Sequence, residues 1–123
     1  MIALSPQTTV YCALEAVDFR KGIDGLAGLC RTVLEKDPMS GSVYLFRNRG
    51  RTAVKMLFYD GQGFWLCLKR LSRGRFGWWA EARAVDQRTL ALMASEVQVL
   101  LWNGNPERSG VSAMWRRLDG VGA

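Results

Sequence analysis

A chain of 123 residues, 49 % apolar and 23 % charged, has the size of one domain and enough apolar material for a core, which excludes a disordered or low-complexity polypeptide. Lys and Arg outnumber Asp and Glu by 17 to 11 and histidine is absent, so Ser-His and Cys-His catalytic pairs are excluded. No apolar run approaches the roughly 18 residues of a membrane span, so no membrane partner is expected.

The first residues, Met1-Ile2-Ala3-Leu4-Ser5-Pro6, carry neither a basic segment nor a long apolar core. No signal peptide is read there, and a cytoplasmic location is expected. The β-branched and aromatic run from Thr8 to Leu14 reads as a strand. Asp18 to Gly22 is a turn holding two cations, Arg20 and Lys21. From Ile23 to Leu34 the apolar residues recur at helical spacing, with Asp18 or Asp24 supplying negative charge at the start. Pro38 biases Asp37 away from helix and closes that element.

Val43 to Arg47 and Ala53 to Tyr59 read as strands joined at Arg49-Gly50. A second hairpin turns at Asp60-Gly61-Gln62-Gly63 into Phe64–Arg70, an Asp-Gly signal between two β-prone runs. Two-residue turns at both tips place Val43, Leu45, Val54, Met56, Phe58, Trp65 and Cys67 on one face and Tyr44, Phe46, Leu57, Phe64 and Leu66 on the other. Neither face is fully polar, the second also holding Lys55, Tyr59, Leu68 and Arg70. One is expected to carry the helices, the other a partner, a second copy or the Trp78-Trp79 segment folded back. Asp86 is expected to cap a helix through Leu90, Met93, Val97 and Leu101, stopped by Asn103-Gly104-Asn105-Pro106. Leu26, Cys30, Val33, Val97 and Leu101 are the expected helical contributions to the core.

These elements define the α+β class: one domain over residues 1–106, an antiparallel β-meander of three to five strands packed with two main helices. Residues 107–123, with Trp115, Arg116 and Arg117, are expected to form a flexible tail. Cys12, Cys30 and Cys67 are widely spaced, odd in number and set among apolar neighbours, so buried free thiols are expected and neither a zinc site nor any other cofactor is read.

The charge is local. Between Arg47 and Arg83 nine basic residues face two acidic ones, Asp60 and Glu81, so this window alone exceeds the +6 of the whole chain. Arg47, Arg49 and Arg51 surround the first hairpin tip, while Lys69, Arg70, Arg73 and Arg75 follow the second hairpin. In one sheet both groups come to the same end. Cations interleaved with Phe64, Trp65, Phe76, Trp78 and Trp79 suit phosphates and bases. They equally suit a solvated strand end beside buried aromatics. Asp18, Asp24 and Asp60, the acids worth weighing for magnesium chemistry, each have a local role at a helix start or a turn.

Three blocks then carry a resemblance. They are Val17-Asp18-Phe19-Arg20-Lys21-Gly22-Ile23-Asp24-Gly25-Leu26-Ala27, Ser40-Gly41 followed by Val43 to Arg49, and Asp60-Gly61-x-Gly63 followed by Lys69-Arg70-Leu71-x-x-Gly74-Arg75-Phe76. In order and spacing they resemble the transposition accessory protein encoded by the second open reading frame of the bacterial insertion-sequence family numbered sixty-six, often labelled TnpB. After residue 100, Leu101-Trp102-Asn103-Gly104-Asn105-Pro106 departs from that pattern. The resemblance implies a non-catalytic factor of a mobile element, with the element's transposase as partner. Two roles fit: contact with DNA backbone through the arginines, or an adaptor docked on the transposase through an apolar sheet face or Trp102 and Trp115. A homo-oligomer is left open.

Overall fold

The computed structural model describes residue 5 and residues 7–107. Its elements run β1 (Val10–Ala13), α1 (Ile23–Thr32), β2 (Val43–Arg47), β3 (Ala53–Tyr59), β4 (Phe64–Arg70), β5 (Thr89–Leu92) and α2 (Ala94–Leu101). Five strands form one sheet in the order β4-β3-β2-β1-β5.

The α+β class is as expected, but the sheet is mixed rather than a pure antiparallel meander. β2, β3 and β4 form the expected meander. β1, however, lies parallel to β2, with Tyr11 opposite Tyr44, because α1 carries the chain back across the sheet between them. β5 then adds antiparallel to β1, with Tyr11 opposite Ala91. The helix expected from Asp86 is corrected accordingly. Asp86 sits in a turn at φ 62°, and Thr89–Leu92 is a strand. The helix begins only at Ala94, after an extended Met93 whose amide donates to the Glu96 carboxylate at 3.0 Å. Pairing with β1 supplies Thr89–Leu92 with a ladder that outweighs its helical periodicity.

The β3–β4 register follows the turn as expected. Tyr59 lies opposite Phe64 and the Asp60 amide donates to the Gly63 carbonyl at 3.1 Å. Gly61 takes φ +97°, a conformation that L side chains rarely adopt. The β2–β3 register differs from a two-residue turn at Arg49-Gly50: Leu45 pairs with Met56, not Val54. The cause is Asn48, whose Oδ1 accepts the Thr52 and Ala53 amides at 2.9 and 3.2 Å and closes a longer loop. A shift of two preserves the parity of the strand, so every side chain keeps its expected face.

Both faces are covered. Leu26, Ala27 and Cys30 of α1 pack on Ala13, Tyr44, Phe46 and Leu57. On the other side Phe76, Trp79, Ala80, Val97 and Leu100 pack on Val10, Cys12, Val43, Leu45, Val54 and Phe58. Folding back of the tryptophan segment was one of the expected covers, and α2 completes it. Of the five expected helical core residues, Leu26, Cys30 and Val97 are fully buried, but on opposite faces; Val33 is exposed and Leu101 half-buried. Trp79 is anchored by its indole N–H, which donates to the Ala13 carbonyl at 2.8 Å. Burying such a ring would otherwise strand its one donor.

Candidate nucleic-acid interface

Antiparallel pairing brings the end of β2, the start of β3 and the end of β4 together. Arg47 lies opposite Val54, which lies opposite Lys69; Ala53 lies opposite Arg70. The two basic groups of the sequence therefore meet at one end of the sheet. Two backbone bonds join the loops that follow. The Leu71 amide donates to the Thr52 carbonyl at 2.9 Å, and the Phe76 amide to the Arg51 carbonyl at 2.7 Å.

The seven cations are not equivalent. Arg47 is half-buried, and its Nη1 donates to the carbonyls of Asn48 and Arg49 at 3.2 and 3.5 Å while its Nε is buried with no partner among the described residues. Burial, then the Arg51 charge nearby, lowers its pKa. Lys69 donates to the Leu101 carbonyl at the end of α2, and its ammonium lies 5.1 Å from the Trp102 ring centre. A cation there complements the helix dipole. Arg47 and Lys69 thus serve the loop and the helix. Arg49, Arg70, Arg73 and Arg75 are exposed, and Arg51 is half-exposed.

Two asparagines hold this end in shape, and the sequence reading missed both. Asn48 closes the 48–52 loop, with Nδ2 donating to Thr52 Oγ1 at 2.8 Å. Asn103, read only as a helix stop, reaches the strap between Arg75 and Gly77. Its Nδ2 donates to the Arg75 carbonyl at 3.2 Å and its Oδ1 accepts the Gly77 amide at 2.9 Å. Asn103 itself lies at φ 64°, a region asparagine enters more readily than most residues. Asparagine's tolerance of that region is the signal the sequence offers. Gly74, at φ +73°, lets the strap bend between the exposed Arg73 and Arg75.

Phe76 and Trp79 belong to the core, while Trp78 is half-buried and lines a cleft of about 340 Å³ with Arg51, Arg83 and Glu107. Arg83 pairs with Glu107 at 2.7 Å. Trp65 is 49 % exposed, so it is not core; it stacks on Phe58 at 6.2 Å between centroids.

The acids have local partners. Asp18 binds Arg20 through two oxygens, with a closest contact of 2.7 Å, and the guanidinium holds its carboxyl down at about 2. Asp24 sits in the first turn of α1. Asp60 accepts the Gln62 and Gly63 amides, both at 2.8 Å, and the Trp65 indole N–H at 2.7 Å. Trp65 first, then the two amides, lowers its pKa. Among the described residues no three Cys, Asp or Glu side chains cluster as a metal site. Trp115, Arg116 and Arg117 lie outside the described residues.

A mixed sheet with helices on both faces and exposed arginines at one end defines a small basic α+β protein. No described helix is long and apolar enough to cross a membrane. The family described as IS66 Orf2 like protein matches residues 8–109, and the chain belongs to it. It is also similar to two uncharacterized proteins of Sinorhizobium fredii. Protein y4hO is 37 % identical over 78 residues, 63 % of this chain and 68 % of the relative. Protein y4jC is 34 % identical over 76 residues, 62 % of this chain and 65 % of the relative. No solved structure matches.

Proposed function

We propose that this protein is a non-catalytic accessory factor in transposition of its insertion sequence, acting beside the element's transposase and contacting DNA backbone through Arg49, Arg51, Arg70, Arg73 and Arg75. One observation carries the reading: the Arg51–Phe76 and Thr52–Leu71 backbone bonds join two arginine-bearing loops at one end of the sheet. Asp60, the one acid between Arg47 and Arg75, lies at the far end of the β3–β4 hairpin. Arginine suits this surface because its planar fork matches phosphate oxygens. Backbone contacts bind and orient without reading sequence.

Titration of labelled duplex DNA with the protein over a salt series tests this. Three to five phosphate contacts give a slope of log affinity against log salt of about −3 to −4.5. A folded sample whose DNA binding is absent or independent of salt removes the proposal.

The second reading is an adaptor that docks on the transposase. The apolar sheet face invoked for it is covered by α2 and the tryptophan segment. Trp102, 84 % exposed at the end of α2, is what favours it. Co-purification with tagged transposase separates the readings: retention after nuclease treatment supports the adaptor, and loss supports DNA bridging.

A further inference from the structure

Among the described residues the sheet ends at β4, which pairs with β3 alone. The Asp60–Gly63 and Leu71–Thr52 bonds show which residues of β4 face inward. Ladder bonds alternate along an antiparallel strand, so Trp65, Cys67 and Lys69 turn their backbone groups toward β3. Phe64, Leu66, Leu68 and Arg70 turn theirs outward along an edge that no other described strand pairs. Native sheets blunt such edges with charge, proline or bulges. β4 has no proline and carries charge only at its last two residues, Lys69 and Arg70. Leu68 is 58 % exposed and Trp65 49 %, so the edge is open beside both sheet faces.

We propose that this edge binds a second copy of the chain, β4 against β4 in antiparallel register with Cys67 on the two-fold axis. The strand is self-complementary in that register. Phe64 stands opposite Arg70, Trp65 opposite Lys69, and Leu66 opposite Leu68. All seven residues of β4 are paired and no like charges face each other. A slide of two residues leaves the strand ends unpaired, and a slide of four toward the basic end brings the two Lys69 chains together. Charge complementarity extends past the strand. The same register carries the Asp60 turn of one copy toward the Arg73–Arg75 strap of the other, because Asp60 precedes β4 and the strap follows it. The four outward residues then form hydrogen-bonded pairs across the axis, and Cys67 faces Cys67 in a non-hydrogen-bonded pair at about 4.5 Å between Cα atoms. This dimer does not depend on DNA contact.

Sedimentation of the full chain over a wide concentration series, with cross-linking by a short bismaleimide, tests it. The wild type is expected to reach twice the chain mass and to cross-link through Cys67, whereas Cys67→Ser leaves no covalent dimer. Leu68→Pro removes an outward amide and spares the β3 ladder, so it is expected to weaken association about tenfold or more. Leu68→Lys, at an exposed position, is a second block that needs no backbone change. A chain that stays monomeric at every concentration overturns the proposal. So does a dimer that survives in folded Leu68→Pro or Leu68→Lys, or cross-linking that persists without Cys67.

Discussion

The Arg51 carbonyl accepts the Phe76 amide at 2.7 Å, and the Phe76 ring beneath it is 1 % exposed. The basic strap is thereby fastened to the first hairpin by one backbone bond and one buried ring. Phe76→Ala is expected to cost about 3–5 kcal/mol of stability, the usual range for emptying a core phenylalanine site. Urea denaturation followed by tryptophan fluorescence measures it. A loss under about 1 kcal/mol would mean that the strap is not held this way.

Arg73 and Arg75 flank Gly74 and are exposed, so their charge is available without loss of packing. Replacing both with Gln is expected to flatten the salt slope of DNA binding by about 2 and to weaken all sequences alike. Lys69→Gln is expected to act differently. Its ammonium serves Leu101 and Trp102, so stability falls while the salt slope changes little. Equal slope changes in the two variants would contradict this division of roles.

Lys55 ties β3 to the turn that precedes α1. Its ammonium donates to the Phe19 and Lys21 carbonyls, each at 2.8 Å, and lies 4.9 Å from the Phe19 ring centre. Hydrogen bonds to charged groups contribute about 1.5–3 kcal/mol, so Lys55→Met is expected to lose stability on that scale. Faster amide exchange over residues 19–26 should accompany the loss. A global loss with no local change in exchange would show that Lys55 acts elsewhere.

Asp60 holds its turn as a carboxylate, with Trp65 the largest cause of its lowered pKa. Its folded value lies below its unfolded one, so the contribution is complete above the ordinary carboxylate range and is lost as pH falls through the folded pKa. The Trp65 indole N–H resonance should report this, shifting at a pH below the ordinary Asp value of about 3.9. Asp60→Asn should remove the transition. A midpoint at or above that value would place the indole bond elsewhere.

Cys12 and Cys30 are fully buried, and burial pushes their thiols up to about 12 and about 11. Cys67 is half-buried at the sheet edge, a departure from three buried thiols. Native protein treated with an alkylating reagent near pH 8 is expected to label Cys67 first, with Cys12 and Cys30 labelled only on unfolding. Peptide mass mapping after a time course decides it. Early labelling of Cys12 would contradict the packing of β1.

The local determinants were legible in the chain. Asp60-Gly61-Gln62-Gly63 set the β3–β4 register because a two-residue turn leaves no slack between Tyr59 and Phe64. Alternation assigned faces correctly even where Asn48 lengthened the β2–β3 loop, since a shift of two residues keeps parity. The convergence of the two arginine groups followed from the same hairpins. Tertiary structure decided what depended on distant partners. Leu90, Met93 and Val97 fit a helical period, yet Thr89–Leu92 became a strand because β1, some eighty residues earlier in the chain, offered a ladder. Asn103 reads as a helix stop until the strap reaches it from Arg75, and Arg47 and Lys69 read as free cations until the loop and the end of α2 claim them. Periodicity and turn chemistry act within a few residues and are written in the chain. Pairing, burial and the spending of a charge on a carbonyl are settled only when segments far apart in sequence meet.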